Sequence, residues 1–131
     1  MIGLDTNVLV RYIMQDDAKQ TKLATGLVES LTAEESGFVP LVAVVELVWV
    51  LSSSYELDRL QIVSVLEGLL RTKEVVVENA AIVWRAVRVF KDSSSDFADC
   101  LVERSAHAAG CTRTVTFDRG AVKNCGMVLI H

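Results

Sequence analysis

Hydrophobic and polar positions along the chain follow two periods in turn, which predicts a regular succession of strands and helices. Short apolar or β-branched runs predict strands at residues 1–4 and in "SGFVP", "EVVVE", "TRTVTFD" and "GMVLI". Apolar residues at helical spacing predict helices over Thr6–Met14, from Asp16 or Asp17 to Leu31, and in "LVAVVELVWVLSS", "LDRLQIVSVLEGLLR", "NAAIVWRAVRVFKD" and "SSSDFADCLVERSAHAAG", while "RGAVKN" indicates a turn or short helix. Strands that alternate with helices indicate an α/β fold with a central, mainly parallel β-sheet flanked by helices on both faces.

Residues with strong boundary preferences stand at the ends of several predicted helices. Asp58 and Asn79 are placed to cap the helices that follow them, and Pro40 fits the first turn of another helix. Gly110 is placed to end the helix before it. The helix after Pro40 is apolar nearly all round, so we expect it to be buried.

Length and composition indicate one α/β domain over residues 1–131. Hydrophobic residues make up 51% of the chain and proline occurs once, so a disordered segment is not expected. The longest apolar stretch, residues 38–51, is shorter than the roughly 20 residues that span a bilayer, and the first residues lack the basic region of a signal peptide. We therefore expect a cytoplasmic protein with no membrane partner. Three cysteines without CxxC spacing favour reduced thiols over disulfides or a zinc site.

The net charge of −4 is unevenly distributed along the chain. Residues 1–65 carry 4 Lys or Arg against 9 Asp or Glu, whereas residues 66–131 carry 9 against 8. Where carboxylates converge on a divalent cation, the cation becomes the largest local charge and inverts the sign of the local electric field. The negative net charge therefore does not exclude a nucleic-acid partner.

Two aspartates directly follow predicted strands. Asp5 ends the first strand, and Asp118 ends the strand in "TRTVTFD". Ligands of α/β proteins bind at the carboxyl ends of parallel strands, so we expect both carboxylates at the same edge of the sheet. The structural alternatives are a helix cap for Asp5 and a turn residue for Asp118.

Three further acids lie in or at the start of helices. Glu46 is the only charged side chain in residues 38–55, so we expect a buried carboxylate that needs a compensating partner, either a metal or a buried arginine. Asp96 and Asp99 are three residues apart and share one face of a first helical turn. That pair has a structural alternative as a helix cap with a capping-box partner.

Together these acids predict a divalent-metal site built from oxygen ligands. The candidate ligands come from four separated segments: Asp5, Glu46, Asp96, Asp99 and Asp118. Oxygen ligands without a Cys/His cluster favour Mg²⁺ or Mn²⁺ over zinc. Side chains that would orient the carboxylates are those of Thr6, Asn7 and Thr116. His107 and His131 are assigned no role.

Four segments resemble the PIN-domain family, in particular its VapC-like toxin ribonucleases from toxin–antitoxin systems. In chain order these segments are "IGLDTNVLVRYI", "VPLVAVVELVWVL", "SSSDFADCLVERSAHAAGC" and "TRTVTFDRGA". The first segment matches the family's first acid at Asp5, and the second matches its glutamate at Glu46. The third matches the family's third acid at Asp99 and a frequent additional acid at Asp96. The fourth matches the Thr-x-Asp segment at Thr116 and Asp118. One departure is Cys100, where the family usually has alanine.

The resemblance implies an endoribonuclease that depends on Mg²⁺ or Mn²⁺, with RNA as substrate. It implies catalytic roles for Asp5, Glu46, Asp99 and Asp118 and a metal-binding role for these residues and Asp96. It also implies a homodimer and a small antitoxin protein as partner. Carboxylate-held divalent ions activate water and stabilise a leaving oxygen, and unpaired RNA reaches such a site most easily. Candidate phosphate contacts are Arg11, Arg113, Arg119 and Lys123.

Two other functions stay open on the sequence. A Mg²⁺-dependent phosphatase of the haloacid dehalogenase type also begins with an aspartate after its first strand. It requires a second acid two residues later, where this chain has Asn7, and no suitable lysine precedes "TFD". A catalytically inactive α/β binding module is the other alternative, although such a module has no physical need for the full set of acids.

Overall fold

The computed structural model describes residues 1–130 and contains, within them, seven helices and five strands. The strands are β1 (Ile2–Gly3), β2 (Gly37–Val39), β3 (Val75–Val77), β4 (Val115–Thr116) and β5 (Val128–Leu129). The helices are α1 (Thr6–Met14), α2 (Ala18–Ser30), α3 (Leu41–Ser53), α4 (Arg59–Arg71), α5 (Ala80–Lys91), α6 (Phe97–Ala108) and α7 (Arg119–Cys125). The succession of elements expected from the sequence is confirmed, and "RGAVKN" belongs to the short helix α7.

All strand pairs among the described residues are parallel, which confirms the α/β class. Strands β1, β2 and β3 form one sheet in that order, with Gly37 paired to Ile2 on one side and to Val75 on the other. Strands β4 and β5 form a second sheet of two strands. The sequence predicted a single sheet. Because the structure has two, Asp5 and Asp118 follow strands of different sheets. Strands of two or three residues make few ladder hydrogen bonds, and alternation alone does not determine which strands pair.

The chain folds into two compact units. Unit 1 is Met1–Glu78 and contains β1 to β3 with α1 to α4, and unit 2 begins at Asn79 and contains α5 to α7 with β4 and β5. No helix in residues 1–130 has the length and hydropathy required to cross a bilayer.

Helix α3 provides the centre of the unit 1 core. Val44, Leu47 and Leu51 are fully buried on one face of this helix, which packs against α1 and α4. The prediction that α3 is buried all round is wrong, because Val42 and Trp49 are 66% and 67% exposed. Periodicity could not reveal an outer face on this helix, since that face is apolar as well.

Aspartates begin five of the seven helices. The side chains that accept a backbone N–H at a helix start are those of Asp5, Asp17, Asp58, Asp96 and Asp118. Asn79 is at the N-cap position of α5 but has φ 52° and makes no side-chain cap hydrogen bond, so the cap expected there is absent. At α3 the N-cap residue is Pro40, and the Glu78 carboxylate accepts the N–H of Leu41 at 2.7 Å.

The capping box of α4 gives a stability prediction. Asp58 accepts the N–H of Gln61 at 2.8 Å, and the Gln61 amide oxygen accepts the N–H of Asp58 at 2.9 Å. We expect Asp58→Ala to cost about 1 kcal/mol of unfolding free energy and about 4 °C in Tm, because one helical N–H loses its partner. Thermal and urea unfolding measure this effect, with the exposed Ser64→Ala of the same helix as control. An unchanged Tm in Asp58→Ala would contradict the stabilising role of the box.

Packing between α5 and α6 forms the core of unit 2 and positions the start of α6. Val83, Ala86 and Val87 are buried on α5. The rings of Phe90 and Phe97 meet edge to face with centroids 5.7 Å apart, and Phe97 is the first residue of α6. This contact fixes the helical turn that carries two of the candidate acids. The chain leaves α6 through Gly110 at φ 94°, as its sequence position predicted.

Candidate active site

The two candidate acids of unit 1 are connected through one threonine. Asp5 directly follows the buried Leu4, is itself exposed, and accepts the N–H of Thr6 through Oδ1 at 2.9 Å. Thr6 is buried, and its hydroxyl donates to Oε1 of Glu46 at 3.2 Å. The first turn of α1 therefore holds the glutamate of α3, which supports the orienting role expected for Thr6. Asn7 is exposed on the same turn.

Glu46 does not have the environment that the sequence predicted. Its side chain is exposed, so the expectation of a buried carboxylate that requires a compensating charge is wrong. Val42, Glu46 and Trp49 are spaced i, i+4 and i+7, which places all three on the outer face of α3. In an exposed position the carboxylate stays hydrated and has no burial penalty to offset.

The starts of α6 and α7 carry three candidate acids of unit 2, Asp96, Asp99 and Asp118, whose charges interact. Asp96 caps α6 and accepts the N–H of Ala98 at 3.4 Å. Asp118 caps α7 through Oδ1, which accepts the N–H of Gly120 at 2.8 Å, and the Thr116 hydroxyl accepts the N–H of Asp118 at 3.0 Å. The Thr116 hydroxyl therefore holds the backbone N–H of Asp118.

Asp99 has the most perturbed environment of the candidate acids. Partial burial raises the pKa of its carboxyl group, and the negative charges of Asp96 and Asp118 raise this pKa further. Each of these three effects disfavours the ionised form. A cation placed next to Asp99 would favour the ionised form of its carboxyl group.

Asp5 and Asp96 each cap a helix, as their structural alternatives expected, but no capping box accompanies Asp96. Asp118, for which the structural alternative was a turn residue, caps a helix as well. Capping does not prevent a carboxylate from binding a ligand. Asp5 and Asp118 each use Oδ1 for the cap, which leaves Oδ2 for a ligand. Within residues 1–130, no three His, Cys, Asp or Glu side chains stand close enough to form a ready-made metal site. The oxygen donors have the chemistry that Mg²⁺ and Mn²⁺ prefer.

Arg11, a candidate phosphate contact, belongs to a polar network that sequence reasoning missed. Its guanidinium donates to Asp16 at 3.0 Å and to Gln20 at 2.6 Å, and the Tyr55 hydroxyl donates to Asp16 at 2.6 Å. The hydrogen bond from Tyr55 lowers the pKa of Asp16, and the hydrogen bond and charge of Arg11 lower it further. Tyr55 and Asp16 are far apart in the chain, so no local pattern could have predicted this contact.

The other candidate phosphate contacts flank Asp118 in the sequence. Arg113 precedes β4, while Arg119 and Lys123 belong to α7, and all three are exposed. Phe117, which the sequence analysis did not single out, is 83% exposed between Thr116 and Asp118. Its position in an alternating strand segment predicted an ordinary strand residue, so the sequence contained no signal for its exposure.

A cavity of about 300 Å³ lies between α1 and α2 in unit 1. Its lining consists of Asn7, Val8, Arg11, Gln20, Leu23, Ala24 and Leu27. The lining is mainly apolar and includes none of the candidate acids, but two candidate site residues, Asn7 and Arg11, are part of it. His107 is exposed near the end of α6, and His131 lies outside the described residues.

Comparison with known proteins shows the family. The family model for the PIN domain matches residues 2–126, and this chain belongs to the PIN-domain family. The chain is also similar to the VapC ribonuclease of Aquifex aeolicus (strain VF5), with 28% identity over 116 residues. That alignment covers 88% of this chain and 86% of the relative.

Proposed function

We propose that this protein is a metal-dependent endoribonuclease that hydrolyses RNA phosphodiester bonds and acts as the toxin of a toxin–antitoxin pair. The PIN-domain match over residues 2–126 is the observation that carries the proposal, and similarity to a VapC ribonuclease supports it. We further propose that residues 1–131 act as a single PIN-like nuclease domain. We also propose that the protein acts in the cytoplasm.

We propose that the five candidate acids bind the metal and that this metal is Mg²⁺ or Mn²⁺. The proposed ligands are Asp5, Glu46, Asp96, Asp99 and Asp118, and catalysis depends on all of these except the additional acid Asp96. A divalent ion held there supplies the charge that activates water and stabilises the leaving oxygen of a phosphodiester. The unfavourable ionisation of Asp99 supports this assignment, because a cation relieves the repulsion from Asp96 and Asp118.

The protein's own residues position these carboxylates. The Thr6 hydroxyl restrains Glu46, and the backbone N–H groups at the starts of α1 and α7 restrain Asp5 and Asp118. A carboxylate held at one oxygen loses less conformational freedom when its other oxygen binds a ligand. We propose Asn7 and Thr116 as additional positioning residues.

Exposed basic residues and one aromatic ring are the proposed RNA contacts. Arg113, Arg119 and Lys123 carry the positive charge that phosphates require. Phe117 adds an exposed ring beside Asp118, and aromatic rings stack on unpaired bases. Arg11 remains a proposed phosphate contact, although binding would compete with its ion pair to Asp16.

We propose two protein partners, a second copy of this chain and a small antitoxin. Both follow from the family resemblance. Leu23 on α2 and Val42 and Trp49 on α3 are each more than 60% exposed, so a partner that covers them would remove considerable apolar area from water. The oligomeric state of the protein, measured with and without the antitoxin, tests both partners.

Cleavage of a mixed RNA pool by the purified protein tests the proposed function. Reactions contain Mg²⁺, Mn²⁺ or EDTA, and the products are separated on a denaturing gel and sequenced at their ends. We expect discrete cuts with a divalent ion and none with EDTA. A folded protein that does not cut any RNA with either metal, and does not bind Mn²⁺ in calorimetry, would overturn the proposal.

The contact between Thr6 and Glu46 gives a second prediction for this site. Thr6→Val keeps the side-chain volume and the backbone N–H that Asp5 accepts, but removes the hydroxyl that restrains Glu46. We expect kcat/KM for RNA cleavage to fall about tenfold, as is usual when a residue that orients a metal ligand is lost. Thr6→Ser, which keeps the hydroxyl, should retain most of the activity. Equal rates for the Val and Ser variants would show that the hydroxyl does not contribute.

A further inference from the structure

Two buried thiols face each other in unit 2. Sγ of Cys100 and Sγ of Cys125 are 3.9 Å apart, and neither cysteine is in a disulfide. Cys100 is fully buried in the first turn of α6, and Cys125 is 8% exposed at the last residue of α7. The Ser95 hydroxyl lies 2.9 Å from Sγ of Cys100. The proposed catalytic chemistry uses neither thiol.

We propose that Cys100 and Cys125 are a modification site at which a peroxide forms a reversible disulfide between α6 and α7. A disulfide requires sulfurs about 2.05 Å apart, so the two atoms must approach by roughly 1.9 Å. Changes in the side-chain χ1 angles, with small shifts of a seven-residue helix, can supply such a movement. The exposed Cys111 lies outside this pair and serves as an internal control.

The proposed reaction balances with hydrogen peroxide as the oxidant. The sulfur of Cys125, which is the more exposed of the two, attacks one peroxide oxygen; the O–O bond breaks, and water leaves with the thiol proton. The sulfenic acid that remains on Cys125 is attacked by the sulfur of Cys100. An S–S bond forms, the S–O bond breaks, and a second water leaves. A dithiol reductant reverses the modification by thiol–disulfide exchange.

The position of the pair connects this modification to the candidate acids. Cys100 directly follows Asp99, and Cys125 is in the helix that Asp118 begins. Helices α6 and α7 pack against each other, so a covalent link changes the separation of the two helices that carry these acids. Displacements of about 1 Å at a catalytic group reduce rates up to about a hundredfold. Disulfide formation does not depend on the proposed nuclease function, whereas its effect on cleavage does.

Peptide mapping of the intact protein tests the modification. Each cysteine is on its own tryptic peptide: residues 92–104 for Cys100, 105–113 for Cys111 and 124–131 for Cys125. The folded protein is treated with dilute hydrogen peroxide, the remaining thiols are alkylated, and peptides are compared with and without dithiothreitol. We expect a linked pair of the first and third peptides that disappears on reduction. Cys111 should be alkylated or independently oxidised.

Thermal unfolding and matched variants provide a second readout. The link closes a loop of about 26 residues, so the oxidised protein should unfold about 10 °C above the reduced protein. Cys100→Ala and Cys125→Ser should each abolish this difference, whereas Cys111→Ser should preserve it. If a variant does not fold, the peptide map of the unsubstituted protein still decides whether the pair forms.

The outcomes separate this inference from the proposed function. A linked peptide and a raised Tm support the modification whether or not the protein cleaves RNA. If RNA is cleaved, oxidation should reduce the rate about tenfold or more, with recovery on reduction. Peroxide treatment that modifies Cys111 while Cys100 and Cys125 stay reduced would overturn the proposal, as would a linkage that includes Cys111.

Discussion

Asp5→Asn should abolish RNA cleavage and leave the fold intact. The substitution removes a negative charge from a proposed metal ligand but keeps a side-chain oxygen that can accept the N–H of Thr6. Asparagine and aspartate are similarly good N-cap residues, so we expect Tm to change by less than about 2 °C. Removing residues that only orient a metal ligand costs roughly 10- to 100-fold, and loss of a ligand itself should cost more. Cleavage rates with Mg²⁺ and Mn²⁺ measure the effect.

A matched cap elsewhere in unit 1 provides the control for this substitution. Asp17 caps α2 by accepting the N–H of Gln20 at 2.9 Å and is not a proposed ligand. Asp17→Asn makes the same chemical change at a helix start and should keep the full cleavage rate. If both variants cleave at the same rate as the unsubstituted protein, Asp5 is only a helix cap. If both lose activity together, the effect comes from helix capping and not from metal binding.

The sequence predicted the elements of this fold well because their signals are local. Asp5, Asp58 and Gly110 mark helix boundaries through contacts within one turn, and each has the predicted position. Asn79 shows the limit of this reasoning, since it adopts a left-handed conformation that the short polar side chain of asparagine tolerates. Strand pairing depends on residues far apart in the chain, so alternation could not predict the two separate sheets.

The candidate site was partly predictable for the same reason. Residue types and their order indicated the acids, and Thr6 was expected to orient a carboxylate, as its contact with Glu46 supports. The environment of Glu46 was predicted wrongly, because an apolar helix with one exposed apolar face looks the same in sequence as a buried helix. The exposure of Phe117 and the contact between Cys100 and Cys125 arise only from tertiary packing.

Asp99→Asn should reduce cleavage and increase stability at the same time. The substitution removes a proposed metal ligand, so we expect a fall in kcat/KM of more than about a hundredfold. It also removes an ionised carboxylate that partial burial and the charges of Asp96 and Asp118 disfavour. The repulsion that the substitution removes is worth less than about 1 kcal/mol. Its removal should raise Tm at neutral pH, without added metal, by about 2 °C. Residues kept for catalysis often cost stability in this way.

The pH dependence of stability distinguishes the removal of repulsion at Asp99 from a general effect of charge. Because the folded-state pKa of Asp99 is raised, its contribution to stability is complete below the usual aspartate pKa and is lost as pH rises through the folded-state pKa. The gain in Asp99→Asn should therefore be largest at neutral pH and shrink as pH falls through that range. Asp92→Asn, at the exposed end of α5, removes the same charge outside the proposed site and should keep the full cleavage rate. A gain that persists at low pH would rule out repulsion at Asp99 as its cause, and full cleavage by Asp99→Asn would remove this residue from the proposed metal ligands.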